Sequence, residues 1–209
     1  ATYEIQYGNV KRPTHYNTSW DEARFEVCAH KWLDVSEDGY GISVLNDCKY
    51  GCDVHNGRIG LTMLKSATYP NPDADKEHHS FTWSLCPHSG RWQENQIVAK
   101  AYLLNNPYRA VIKQKDGGSL TKTYSAVSVN VPNVVIEVVK KAEDGDGMII
   151  RMYECWNRRS RFELQLSEPV EHVYETNLLE EKKEEITMKE NKASLEIRPF
   201  EIKTLIVYC

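Results

Sequence analysis

Four residues in the first quarter of this 209-residue sequence have the types and spacing of a metal site: Cys48 and Cys52, with Cys28 and His30 upstream. Cys-x3-Cys falls inside the ligand spacing of structural zinc, and residues two apart on a strand share a face, as Cys28 and His30 would. No second tight pair accompanies them, and the simpler reading is a set of small buried hydrophobes beside a surface imidazole. His78, His79 and His88 bracket the run Phe81 to Leu85, yet no carboxylate stands nearby at strand or helix spacing to make an acid/base pair. Asp73 and Asp75 lie in a proline-rich stretch, Pro70-Asn-Pro-Asp-Ala-Asp75, where aspartate caps turns. Asp144-Gly-Asp146-Gly147 opens like a calcium loop but lacks the later ligands and the bidentate glutamate, so it reads as a turn. Nucleophile elbows, Gly-rich phosphate loops and Cys–His protease signatures are missing. A glycosidase needs two carboxyl groups facing one another across a sugar, and among 30 acidic residues no pair singles itself out.

The elements that must position these residues are strands. Phe25, Val27 and Ala29 alternate with polar partners, as do Ile42 and Val44, then Ile59, Leu61 and Met63, then His79, Phe81, Trp83 and Leu85. The second half repeats the pattern at Val127 to Val131, Val134 to Val139, Met148 to Trp156, Phe162 to Leu166, Val170 to Tyr174 and Ala193 to Val207. A period of two describes strands with one face on a core, and turn residues every ten or so positions suit a sandwich or barrel. Asn56-Gly57 between Val54-His55 and Arg58-Ile59 predicts a type I′ hairpin. One short helix is predicted over Gln93–Leu104, where Ile97, Ala101 and Leu104 share a face before the stop Asn105-Asn106-Pro107. Residues 178 to 190 read either as a helix or as a solvated edge or hairpin tip; Glu180/Glu184 and Glu181/Glu185 repulsion favours the second. Residues 105 to 122 have linker composition, and six of the 7 His and four of the 5 Trp precede them, which places a boundary near 110. Domains are therefore expected over 1–110 and 111–209.

The 41% apolar and 27% charged composition is that of a folded globular protein, and no apolar run nears the ~20 residues that cross a bilayer. A net charge of −4, with neither half basic, argues against nucleic-acid and anionic-membrane partners. Six cysteines without a secretory signal read as reduced thiols of a cytoplasmic protein, where the Asn17-Thr18-Ser19 sequon has no use. Ala1 in place of Met suggests a processed or excised piece.

Ordered motifs carry a resemblance. Lys11-Arg-Pro-Thr-His15-Tyr-Asn17-Thr-Ser-Trp20-Asp21 is followed by Arg24-Phe-Glu-Val-Cys-Ala-His30-Lys-Trp32 and the distinctive Leu45-Asn46-Asp47-Cys48-Lys49-Tyr50-Gly51. His79-Ser-Phe-Thr-Trp-Ser-Leu-Cys-Pro87-His88-Ser-Gly90 and Leu104-Asn-Asn-Pro107 come next, then Val173-Tyr-Glu-Thr-Asn-Leu-Leu179 and Arg198-Pro-Phe-Glu-Ile-Lys-Thr-Leu205. Together these resemble the C-terminal region of glycoside hydrolase family 38 α-mannosidases of the cytosolic and microbial branch.

The resemblance implies a mainly β fold, with a β-sandwich of galactose-mutarotase-like type, incomplete at its N-terminal edge, followed by a small C-terminal β domain. An unpaired edge of that kind would expose the chain to pairing between copies as a homo-oligomer. It implies a non-catalytic role for these residues. The family's Asp nucleophile, second acid and divalent metal, zinc or cobalt, lie in an N-terminal catalytic domain, where α-linked mannosides of oligosaccharides are hydrolysed with retention through a mannosyl-enzyme. This chain would hold no catalytic residue, metal or cofactor of its own, would be inactive alone, and would have that domain and the oligosaccharide as its partners. His15, Asn17, Asn46, Asp47, Lys49, Tyr50 and His88 are the expected surface facing the sugar site; the competing reading makes them turn formers and inter-strand hydrogen-bond partners. The alternative function is an independent carbohydrate-binding β-sandwich module, with Trp20, Trp83 or Trp92 as its platform.

Overall fold

The structure, a computed structural model, describes residues 1–112, 117 and 123–209. Most of the lysine- and glycine-rich half of the expected linker, 113–116 and 118–122, lies outside the described residues. The chain divides into two compact units, Ala1–Ala110 and Val111–Cys209.

The first unit contains β1 (Thr2–Ile5), β2 (Gly8–Lys11), one helical turn α1 (Ser19–Glu22), β3 (Val27–Cys28), β4 (Trp32–Ser36), β5 (Tyr40–Asn46), β6 (Gly51–His55), β7 (Arg58–Leu61), β8 (Trp83–Ser89) and α2 (Ile97–Asn105). Strands in the order β2-β1-β4-β5-β8 make one antiparallel sheet, and β3-β6-β7 make a second. Tyr3, Leu33 and Val44 of the first sheet meet Cys52 and Val54 of the second in a shared core. The opposite face of the larger sheet receives α2 through the buried Ile97, Val98 and Ala101, and Trp92 lays its ring 4.7 Å from that of Trp32.

Local chemistry explains several boundaries. Asn56 and Gly57 both take positive φ, 50° and 70°, closing the β6–β7 hairpin as a type I′ turn demands. The helix expected from Gln93 begins only at Ile97, because residues 92–96 form turns and Gln96 enters the left-handed region at φ 54°. α1 was not foreseen, although Thr18 and Asp21 form a capping box at its start. The alternating run from His79 becomes strand only at Trp83, and its faces are the reverse of those expected. Trp83 and Leu85 are exposed, while Cys86 is part-buried and His88 buried. A one-residue change of register exchanges the faces of a strand, and here a polar cluster on β4 and β5, described below, draws His88 inward.

The second unit contains β9 (Val127–Val129), β10 (Val134–Lys141), β11 (Met148–Glu154), β12 (Ser160–Leu166), β13 (His172–Thr176), β14 (Lys182–Glu185), β15 (Lys192–Ile197) and β16 (Ile202–Tyr208). The sheets run β10-β11-β16-β13-β14 and β15-β12-β9. Ile150, Met152, Phe162, Leu164, Leu195 and Leu205 are the middle of the core between them. Glu143 to Gly147 is the predicted turn, joining β10 to β11. Within 178–190, Lys182–Glu185 form an exposed edge strand paired to β13, the solvated edge that charge repulsion favoured over a helix.

Glu154, fully buried at the end of β11, ties three segments together. Oε1 accepts from Asn133 Nδ2 and Trp156 N–H, each at 2.8 Å, and Oε2 accepts from Arg158 N–H at 3.2 Å and Phe200 N–H at 3.1 Å. Glu154→Ala strands buried donors, and the expected loss is about 3 kcal/mol or more, read as a lower urea midpoint at unchanged slope; a loss under about 1 kcal/mol would show that water replaces the carboxylate.

All six cysteines are free thiols; Cys28, Cys48 and Cys209 are exposed, Cys52 and Cys155 buried. Burial pushes the Cys52 thiol up to about 12, and hydrogen bonding to Asp47 raises that of Cys48. Alkylation of the folded chain at pH 8 should label Cys28 and Cys209 first, Cys48 more slowly and Cys52 only after denaturation, as followed by mass spectrometry. Early labelling of Cys52 would contradict this core.

Candidate functional site

The residues with recognition chemistry gather at the connection from β5 to β6. Asn46 ends β5 with its side chain turned inward: Nδ2 donates to the His30 carbonyl at 2.6 Å and Oδ1 accepts the Lys49 N–H at 2.7 Å. The Asn46 carbonyl receives Asn105 Nδ2 from α2 at 3.0 Å, so the helix end and the connection are fastened together. Asp47 and Thr82 exchange two bonds, Asp47 N–H to the Thr82 carbonyl at 3.1 Å and Thr82 N–H to Asp47 Oδ2 at 2.9 Å. That Thr82 N–H, with the Cys48 thiol, holds the Asp47 carboxyl below the usual aspartate range.

Rings frame this polar segment. Lys49 Nζ stands 5.0 Å from the centre of Phe81. Tyr50, 47% exposed, meets the edge of His30 at 5.1 Å, and His30 Nε2 lies 3.3 Å from Gln6 Nε2. Beneath them the Glu4 carboxylate accepts from the Lys31 backbone N–H and pairs with Lys31 Nζ at 3.1 Å, while that ammonium lies 4.5 Å from the centre of the Tyr102 ring. The assembled surface offers an ammonium, a phenol, an imidazole and ring edges beside the Asp47 carboxylate, whose Oδ2 holds Thr82 and whose Oδ1 is shielded from water. Such groups can hydrogen-bond and stack against a polyol.

The seven expected residues fall in three places. Asn46, Asp47, Lys49 and Tyr50 share this connection. His88 pairs with Gly41 near the other end of β5, roughly 17 Å from Asn46 along the strand, and it is interior rather than surface. Asp34 collects donors there: Ser43 Oγ at 2.6 Å and His88 Nε2 at 2.8 Å on Oδ1, and Ser36 Oγ at 2.7 Å on Oδ2. His88 Nδ1 faces the Gly90 carbonyl at 3.2 Å. Both ring nitrogens thus lie within hydrogen-bond distance of an oxygen acceptor, which fixes the orientation of the ring. Ser, His and Asp meet here, but the aspartate stands between the other two. The Ser43 hydroxyl donates to Asp34 rather than to His88, so no nucleophile relay exists. Gly41 is required at this point, since a Cβ would lie 2.3 Å from His88 Cε1.

His15 and Asn17 form the third place, on the exposed segment before α1. Between them Tyr16 stacks on His55 at 3.8 Å, at the far end of β6 from Tyr50, which immediately precedes that strand, and so roughly 15 Å away. Asn17 N–H bonds to Asp21 Oδ2, which makes it part of the helix start. Trp92, only 4% exposed against Trp32, does not serve as a binding platform, whereas Trp20 and Trp83 are exposed. The imagined zinc ligands do not converge: Cys52 donates to the Val27 carbonyl inside the sandwich, Cys28 and Cys48 are exposed, and His30 packs on Tyr50. Among the described residues no three His, Cys, Asp or Glu side chains gather around a common point. Gln6 carries no sequence signal, and Phe81 and Thr82 stand out in the sequence only as part of an alternating run and a motif, being distant in the chain from the residues they support.

Burial raises the Glu4 carboxyl above the ordinary range, with Lys31 opposing it. The folded state therefore binds its proton more tightly than the unfolded one, and this group's contribution to stability falls as pH rises from the ordinary carboxylate pKa to the raised one. Glu4→Gln should remove that pH dependence, measured as urea midpoints across pH 4 to 7; an unchanged profile would show that Glu4 titrates normally.

Comparison with known proteins places this geometry. Residues 1–73 match the Glycosyl hydrolases family 38 C-terminal domain, and residues 133–205 match the Glycosyl hydrolases family 38 C-terminal beta sandwich domain. Alpha-mannosidase 2C1 of Homo sapiens is 41% identical over 212 residues, an alignment covering 99% of this chain and 20% of the human protein. Alpha-mannosidase G of Dictyostelium discoideum is 41% identical over 210 residues, covering 98% of this chain and 19% of that one. The crystal structure of an alpha-mannosidase from Enterococcus faecalis V583 superposes with a TM-score of 0.78 at 20% identity, over 100% of this chain and 24% of that chain, a likeness of fold. The chain thus spans about a fifth of the length of the curated relatives it matches. With two C-terminal domains of one family together matching more than half of its residues, the chain belongs to the C-terminal region of glycosyl hydrolase family 38.

Proposed function

We propose that these 209 residues work as the non-catalytic C-terminal β region of a cytoplasmic α-mannosidase that hydrolyses α-linked mannosides of oligosaccharides with retention of configuration. The observation that carries this reading is 41% identity across nearly the whole chain to Alpha-mannosidase 2C1. Six free thiols accord with a reducing compartment. The nucleophile and the divalent metal, zinc or cobalt, belong in this reading to a catalytic domain elsewhere in the polypeptide, and the residues described here take no part in the bond-breaking step.

The contribution of this region is a recognition surface at the β5–β6 connection. Asp47 and Tyr50 offer an acceptor and a donor to sugar hydroxyls, Lys49 adds a charge, and Asn46 and His30 hold the segment in shape. His15 and Asn17 stand apart and His88 is interior, which narrows the expected set to four residues. Rings with adjacent hydrogen-bonding groups suit a pyranose, whose C–H face stacks while its hydroxyls bond.

In the intact enzyme, Asp47→Ala and Tyr50→Phe should each lower kcat/KM for an α-mannoside by about three- to tenfold, the worth of one hydrogen bond. Unchanged kcat/KM in both variants would sink the recognition role. The 209-residue chain alone should leave a chromogenic α-mannoside untouched, and turnover by it would overturn the non-catalytic assignment.

A further inference from the structure

The loop joining β13 to β14 presents two adjacent leucines to water, Leu178 at 58% and Leu179 at 80% exposure. Single exposed leucines are ordinary, but here two are adjacent and the loop that carries them is fixed by hydrogen bonds and an ion pair. Asn177 Oδ1 accepts the N–H groups of Leu179 and Glu181, both at 3.0 Å, and its Nδ2 donates to Glu181 Oε2 at 2.6 Å. Glu180, at φ 67°, sits in the left-handed region that costs a side-chain-bearing residue energy. Its carboxylate anchors it there, pairing with Lys140 Nζ at 2.8 Å and accepting Glu143 N–H at 2.8 Å. Arg151 Nη2 donates to the Leu178 carbonyl at 3.3 Å. The bonds fix an apolar protrusion, giving up the burial that ordinarily drives folding.

Leu179, with Glu143 and Glu180, borders two hollows. One, of ≈ 310 Å³, lies toward Lys140 and Arg151; the other, of ≈ 230 Å³, lies toward Ile206 and Tyr208. Each has room for an apolar side chain from outside. The second is bordered by Glu143, Asp144, Glu180 and Glu181 against Lys182, with Lys140 paired to both Glu143 and Glu180. The four carboxylates still outnumber the two ammonium groups, so it favours a partner carrying positive charge. A ligand-sized sugar would find here few donors and much leucine, whereas a protein segment would find a raised knob beside two holes with an acidic rim.

We propose that the Asn177–Glu181 loop is a docking surface for an apolar segment flanked by Lys or Arg, supplied by the remainder of the same α-mannosidase polypeptide. The inference rests on the reading that the chain works within a longer enzyme, and relatives in which it covers only 20% of the length leave ample chain to supply that segment. A surface locked before contact loses little freedom on docking, which accounts for the strained Glu180 and the doubly bonded Asn177.

The test compares the full-length enzyme with the 209-residue chain, each as wild type and as Leu178→Ser/Leu179→Ser. In the isolated chain the pair touches water already, so its thermal midpoint should stay within about 1 °C. In the full-length enzyme the midpoint should fall by on the order of 4 °C or more, and amides 177–182 should lose hydrogen-exchange protection. Glu181→Lys should produce a smaller fall that high salt abolishes. Equal destabilisation of both proteins would overturn the proposal by showing that the leucines serve the fold of their own unit, and no change in either would overturn it directly. Conversion of a full-length dimer to a monomer would also overturn it, naming a second copy as the occupant. A full-length protein without activity on α-mannosides would remove the functional reading, whereas an active enzyme with unchanged stability would remove the docking surface alone.

Discussion

A carboxylate taken out of water must be met by donors on every side, and this requirement organises both units of the chain. Asp34 in the first unit and Glu154 in the second are almost fully removed from solvent, and each is surrounded by hydroxyl, amide or imidazole donors. Satisfying Asp34 fixes β8 against β5, because His88 reaches the carboxylate only when it stands opposite Gly41. Satisfying Glu154 closes the turn after β11 and draws in the segment ahead of β16. Apolar cores alone would tolerate other pairings; the buried charges do not.

The polar end of the first unit follows from the same requirement. Glu4 is held by Lys31, Lys31 lies on Tyr102 of α2, and Asn105 at the end of that helix bonds to Asn46. The β5–β6 connection is thereby fixed from below and from the side, and Asp47, Lys49 and Tyr50 are displayed on it rather than on a free loop. A surface that recognises hydroxyl groups depends on such fixed geometry, since a mobile one would lose on ordering what it gained in bonds. Among the described residues of the second unit, the loop with Leu178 and Leu179 shows a different surface. There two exposed leucines stand beside acidic side chains, a surface with more apolar area and fewer donors than the β5–β6 connection.

Much of the fold was legible from spacing. The period of two in Met148 to Trp156 and in Phe162 to Leu166 marks β11 and β12, Asn56-Gly57 marks the β6–β7 turn, and like charges four apart keep 182–185 from forming a helix. The site was half legible. Asn46, Asp47, Lys49 and Tyr50 sit together because they are consecutive, and a loop keeps its neighbours. His15, Asn17 and His88 do not join them, because membership of one ordered set of motifs says nothing about distance in space.

The sequence by itself determined what depends on near neighbours: which segments extend, where the chain reverses, where a helix stops, and that no stretch is long and apolar enough for a helix across a membrane. Only the tertiary structure decided which face of each strand lies inside. Alternation specifies two faces without saying which one the core takes, and in β8 the polar face won because Asp34, 54 residues away from His88, required its proton. The same holds for Glu4 with Lys31, 27 residues apart, whose pairing appears only when β1 and β4 lie side by side. Partners of buried charge are set by through-space distance, and that quantity exists only once the chain has folded.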